Sequence, residues 1–165
     1  KQKLMEYCIE NLNDLVKVAE EENVILLLGT VMGMDSPCNA STPIVLTVDE
    51  VAEIIEQIGS SYLAAYADTQ VLSIRGESLT DWFDRLGEKV RLVRFTDGNY
   101  NGYRIWGKGV LPAEKLAEEI YRTGFNGLIS FQIPGERYCE NPKDAQKQNH
   151  FRALSAWREV MDCQR

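Results

Sequence analysis

Apolar residues recur every three or four positions between residues 3 and 21, at Leu4, Cys8, Leu12, Leu15, Val16 and Ala19. That spacing predicts a helix with one buried face. Val24 to Leu28 is continuously apolar, which predicts a strand buried on both faces. Thr47-Val-Asp-Glu50 has the form of a capping box ahead of Val51, Ile54, Ile55 and Ile58, and Gly59 ends that helix. The cycle then repeats. Tyr62 to Ala67 reads as a strand stopping at Asp68. Ser78 caps a helix with Leu79, Trp82, Phe83 and Leu86 on its face, followed by Gly87. Val90 to Phe95 is the next strand. Pro112 opens a helix whose Leu116, Ile120 and Tyr121 face inward, and Gly124 terminates it. Gly127 to Phe131 is the fourth strand. A last helix runs from Asp144, with Phe151, Leu154, Val160 and Met161 on its face.

The order is therefore one helix followed by four βα units. Strands recur every thirty to forty residues, the size of a parallel βαβ unit with right-handed crossovers. The predicted class is α/β with parallel strands. At 165 residues the chain is long enough for one domain with its own core, and residues 1–165 are taken as that domain.

Charge and cysteine usage narrow the function. The net charge of -7 with no basic stripe argues against a nucleic-acid backbone or an anionic membrane surface as partner. No apolar run reaches membrane-spanning length, and no signal-peptide pattern is present. A chain opening at Lys1 rather than methionine reads as processed or as cut from something longer. Cys8, Cys38, Cys139 and Cys163 form no C-x-x-C pair, and His150 is the only histidine. A cysteine–histidine zinc site is therefore not expected, and the thiols read as reduced, in a cytoplasmic protein.

In parallel α/β folds ligands gather at the carboxyl ends of the strands. Those ends carry Gly29 and Thr30, Asp68 and Thr69, Arg94 with Asp97, and Gln132. Two long segments lie on the same rim, TVMGMDSPCNASTPIVLT (30–47) and RLVRFTDGNYNGYRIWGKG (91–109); loops of this length are usually functional or mobile. Asp68, ending a buried strand, needs a partner, and serves either as a helix cap or as a ligand-binding carboxylate. Arg94, set in an apolar strand, needs an anion, from the protein or from a ligand. Tyr103 and Trp106 either stack on a sugar ring or pack beneath the loop. Lys108, between two glycines, is a solvated lysine or reaches a phosphate. Gln132 offers hydrogen bonds without charge. With Asp97 these six make seven residues, the candidate ligand-binding set; no catalytic residue is assigned.

RLGEKVRLVRFTDG (85–98), followed by IWGKGVLPAEKLAEEIYRTGFNGLISFQI (105–133), resembles the end of a xylose-isomerase-like TIM barrel, the family of sugar-phosphate isomerases and epimerases. ADTQ (67–70), VRFTD (93–97), GKG (107–109) and FNGLISFQ (125–132) fall in matching order. The resemblance spans residues 4 to 161 and implies the second half of such a barrel, strands five to eight. Four strands do not close a barrel of eight, so an amino-terminal half or a second copy is the expected partner, alongside a carbohydrate or sugar phosphate. The resemblance also implies a divalent metal (manganese, magnesium, zinc or cobalt) held by a glutamate, an aspartate, a histidine and a second glutamate. The metal polarises the sugar, and the glutamates move the proton. Those positions match Gly29, Asp68, Arg94 and Gln132, so Asp68 alone is retained, and Val71 stands where a further histidine follows. The expectation is a degenerate member that binds carbohydrate without a metal, with Arg94 paired to Asp68 and Gln132 hydrogen-bonding nearby. The alternative is an active isomerase or epimerase using Glu136, Asp97 or Asp35 and a metal. A further alternative is a non-catalytic doubly wound binding domain, although no G-x-G-x-x-G or P-loop follows any strand.

Overall fold

The computed structural model describes residues 1–31 and 43–163. Along the chain run α1 (Gln2–Glu21), β1 (Leu26–Leu28), α2 (Val48–Ile58), β2 (Leu63–Asp68), α3 (Thr69–Arg75), α4 (Leu79–Leu86), β3 (Val90–Arg94), β4 (Asp97–Asn99), β5 (Gly102–Arg104), α5 (Ala113–Arg122), β6 (Leu128–Ser130) and α6 (Pro142–Cys163). Four parallel strands form one sheet in the order β1-β2-β3-β6. Strand order follows chain order, as in half of a βα barrel. A doubly wound sheet would reverse direction at a switch point, so that alternative is set aside.

Local chemistry accounts for most boundaries. Ser78 and Asp81 form a reciprocal capping box at the start of α4. Thr47 accepts the Glu50 amide at the start of α2, but Glu50 turns its carboxylate to the Leu46 amide instead of closing the box. Gly59 ends α2 in the left-handed region, at φ 69°, where a Cβ is disfavoured. α3 and the β4–β5 hairpin are additions to the predicted order. α3 spans seven residues and each hairpin strand three, too short to repeat a periodic apolar signal.

The helices cover one face of the sheet. Val51, Ile54 and Ile55 of α2, Leu79 and Trp82 of α4, Ala117 and Ile120 of α5, and Ala153 and Ala156 of α6 close over Leu63, Ala65, Ala67, Val90 and Val93. α6 turns only part of its expected face inward: Val160 is buried and Leu154 half-buried. Phe151 is 70% exposed and Met161 is also exposed, while Ala145, Asn149, Ala153, Ala156 and Val160 are buried. Alanines let α6 approach α5 closely, and the large side chains are left outside. Tyr121, Leu4 and Leu15 likewise lie outward rather than in the core.

The expected full burial of the first strand also fails. β1 is an edge: Val24 is 53% exposed, Ile25 is exposed, and Leu26 to Leu28 are half-buried. At the opposite edge Leu128 of β6 is 72% exposed. Both edges and the inner face, away from the helices, carry apolar residues that a closed barrel would bury. Among the described residues no helix is long and apolar enough to cross a membrane.

Candidate functional site

Register builds the rim. Ala65 is level with Val90, but Tyr66 is level with Leu92, so β3 carries one extra residue, Arg91, at this point. The slip sets Asp68 opposite Arg94, which in turn is level with Ser130 of β6. Strand alternation then places Tyr66, Asp68, Leu92 and Arg94 on the inner face, while Ala65, Ala67 and Val93 enter the helix-side core.

Asp68 is buried and surrounded by donors. Its Oδ1 accepts the Gln70 and Val71 amides at 3.0 and 3.2 Å, capping α3, and the Thr96 hydroxyl at 2.8 Å. Its Oδ2 accepts the Tyr103 hydroxyl at 2.9 Å. The Arg94 guanidinium stands 3.6 Å from the same oxygen and lies over the Tyr66 ring, 4.8 Å from its centroid, a cation–π contact. Arg94 thus faces Asp68 on the inner side, not the helix layer. Burial pushes the Asp68 carboxyl above its ordinary value of 3.8, against the downward pull of Thr96, Tyr103, the Val71 amide and Arg94. A raised folded-state pKa means that the folded chain binds the proton more tightly. The stability this contributes is complete below the ordinary carboxylate pKa and is lost as pH rises through the raised one. Unfolding measured from acid to neutral pH should therefore show the wild-type advantage over Asp68→Asn shrinking as pH rises; a constant or widening gap would contradict this assignment.

Gly29 follows β1 and falls level with Tyr66, two residues before Asp68 on β2. A Cβ built there would lie 2.6 Å from the Tyr66 ring and 2.8 Å from the Tyr66 carbonyl oxygen. The ring occupies the space that a side chain at residue 29 would need. Gly29→Ala should destabilise the chain by about 1–3 kcal/mol through this overlap; a thermal melt unchanged from wild type would show that Tyr66 moves aside freely.

The segment after β3 is organised by Asp97, which is 1% exposed. Its Oδ1 accepts the Gly98 and Leu111 amides at 2.7 and 3.1 Å, and its Oδ2 accepts those of Gly107 and Gly109 at 3.0 and 2.9 Å. A Cβ at Gly109 would overlap the carboxylate. Asp97 is a loop organiser, and both its oxygens are engaged. The hairpin pairs Asp97 with Arg104 and Gly98 with Tyr103, which brings Tyr103 back over β2 to Asp68. Trp106 packs beneath the loop: its ring stacks on Phe95 at 4.4 Å and its Nε1 donates to the Phe95 carbonyl. Lys108 is exposed, and Gln132 is half-buried two residues beyond the end of β6. Among the described residues Gln132 makes no hydrogen bond to Asp68 or Arg94, contrary to the expected cluster. Of the seven candidates, the structure brings Asp68, Arg94 and Tyr103 together. It adds two that the sequence did not single out, Thr96 and Tyr66. Thr96 could have been found from its place between Phe95 and the strand-end Asp97; Tyr66 looked like one more apolar strand residue.

A divalent metal at this rim, implied by the family resemblance, does not fit the donor set. Asp68 contributes the one carboxylate, its oxygens already accept four hydrogen bonds, and a guanidinium cation lies beside it. A dication there meets like charge and no second acid. Among the described residues no cluster of three histidine, cysteine or acidic side chains is positioned to hold a metal. Glu136, the alternative acid, is exposed on the turn Gly135–Arg137. Asp35 and Cys38 lie outside the described residues. Cys8, Cys139 and Cys163 are unpaired.

Comparison with known proteins agrees with this frame. The model of the "Xylose isomerase-like TIM barrel" family matches residues 2–157. Fructoselysine 3-epimerase of Escherichia coli O157:H7 is 26% identical over 151 residues, covering 88% of this chain and 52% of that protein. A solved L-ribulose 3-epimerase superposes with a TM-score of 0.74 at 13% identity, over 98% of this chain and 57% of that one. The IolI protein solved with a zinc atom gives 0.75 at 15% identity, over 96% and 58%. The chain spans about half the length of the curated relatives it matches. With a parallel sheet in sequential order, its carboxyl-end rim and a family match across nearly its whole length, this chain belongs to the xylose isomerase-like TIM barrel family.

Proposed function

We propose that residues 1–165 are the carboxyl-terminal half of a barrel, strands five to eight, whose rim binds a carbohydrate without a divalent metal. The observation that carries this reading is the state of Asp68: its carboxylate is enclosed by four donors and an arginine, and Gly29, beside Tyr66 on the neighbouring strand, has no room for a second acid. The curated relatives are named as sugar 3-epimerases, which supports a sugar as the ligand class. The unpaired thiols are consistent with a cytoplasmic setting.

An amino-terminal half fits the open edges better than a second copy. A closed βα barrel rings eight strands with eight helices. This chain brings five long helices, α1, α2, α4, α5 and α6, to four strands. Two copies would crowd ten helices around eight strands. A partner half of four strands and three intervening helices would complete the ring without excess.

Titration calorimetry on the full-length protein with fructose, tagatose and psicose, in chelator and again with manganese, tests the reading. Binding unaffected by chelator, with no epimer formed, is expected. Turnover that disappears with chelator would overturn it in favour of an active metal-dependent isomerase or epimerase.

A further inference from the structure

Arg94 has more hydrogen-bonding capacity than its neighbours use. The Asp68 carboxylate is held by two hydroxyls and two amides within 3.2 Å. Its 3.6 Å approach to Arg94 is too long for a hydrogen bond, so the pair is a charge contact and no more. Among the described residues no acceptor is hydrogen-bonded to the Arg94 side chain, although a guanidinium presents five N–H groups. The Tyr66 ring covers one face of the guanidinium, which holds its plane and leaves the donor edge uncovered. The side chain is 30% exposed on the inner face of the sheet, where a barrel of this family type binds its ligand. Its surroundings on the other strands are uncharged: Gly29 ends β1, Ser130 is level with it on β6, and Gln132 lies two residues further on.

From this geometry we propose that Arg94 anchors an oxyanion subsite, taking a carboxylate or phosphate group carried by a polyol, with Ser130 and Gln132 placed to meet neighbouring hydroxyls. A planar fork fixed on an aromatic ring suits a two-oxygen acceptor, which an ammonium would bind only as a point charge. Asp68 plays the opposite part: holding four hydrogen bonds of its own, it orients Arg94 and repels an anion that strays toward β2. The subsite rests on the carbohydrate-binding reading above, and it names the chemical class that the rim selects.

The test uses the full-length protein and calorimetric titration with D-gluconate, D-glucose 6-phosphate, inorganic phosphate and the neutral polyol D-glucitol. The anionic polyols should bind at least about tenfold tighter than D-glucitol, the effect of one or two charge-assisted hydrogen bonds. Preference for gluconate alone or for the phosphate ester alone both support the subsite and identify which oxyanion it takes. Arg94→Lys should weaken the preferred anion about tenfold more than it weakens D-glucitol, since charge remains and the fork is lost. Arg94→Gln should remove the preference. If Arg94→Gln does not fold, the wild-type ratio and Arg94→Lys decide the matter. Equal binding of anionic and neutral polyols would overturn the subsite and leave carbohydrate binding intact; that is the result expected if the missing half supplies Arg94 with a carboxylate of its own. Binding of inorganic phosphate without any gain from the polyol would also overturn it. Absence of all binding would remove both readings.

Discussion

Asp97→Asn should destabilise the chain nearly as much as Asp97→Ala, each by about 2–4 kcal/mol in urea denaturation. The reason is the number and kind of its partners. Four backbone amides donate to the two carboxylate oxygens, and every one of them is a donor. An asparagine keeps one acceptor oxygen and turns an NH2 group against two N–H groups. The amides of two glycines or their neighbours are then left buried without a partner. These bonds tie residue 98 to residues 107–111 across the hairpin, so the loss should be local as well as global. Limited proteolysis of either variant should cut between residues 99 and 110 well before any other segment. An Asp97→Asn variant within about 1 kcal/mol of wild type would mean that the loop stands without the carboxylate.

At Asp68 the same pair of substitutions should separate. Asp68→Ala removes the cap of α3 and strands the Thr96 and Tyr103 hydroxyls, with an expected loss of about 3 kcal/mol. Asp68→Asn should lose clearly less. Its amide oxygen can keep Gln70, Val71 and Thr96, and its NH2 can donate to Tyr103, because a phenol accepts as well as donates. The contrast lies in partner chemistry, since both aspartates are buried to a similar degree. Equal losses for the two Asp68 variants, measured by chemical denaturation, would show that the negative charge beside Arg94 matters more than the hydrogen bonds.

The main architecture could be read from apolar periodicity because each long helix and buried strand repeats its signal several times. β2 and β3 carry five or six residues each, and their apolar runs ended at Asp68 and close to Arg94. The charge contact between these two was also legible, because parallel strands end on one rim. What could not be read were features that depend on a partner rather than on a period. β1 is an apolar run like any buried strand, and nothing within Val24 to Leu28 says that it stands at the edge of the sheet. α6 buries alanines, and a pattern built on Phe151 and Met161 points the wrong way around the helix. Asp97 looked like a rim carboxylate available to a ligand; its enclosure depends on Gly107 and Gly109 arriving ten and twelve residues later. Tyr66 gave no warning that it fills the space beside Gly29.

The single-residue slip between β2 and β3 has a consequence for how this chain can vary. Arg91 is exposed, and its side chain can change at little cost. Its backbone stands outside the ladder as a bulge, so Leu92 and Arg94 face inward while Val90 and Val93 stay in the core. Deleting it would leave Leu92, Val93 and Arg94 level with Tyr66, Ala67 and Asp68 in unbroken alternation, whereas taking Arg91 into the ladder would exchange the two faces of the strand beyond that point. The position therefore tolerates nearly any letter, and its loss would keep the facing of the residues beyond it. Among homologues, residue 91 should drift or drop out, while an inward-facing side chain is kept at the positions of Leu92 and Arg94.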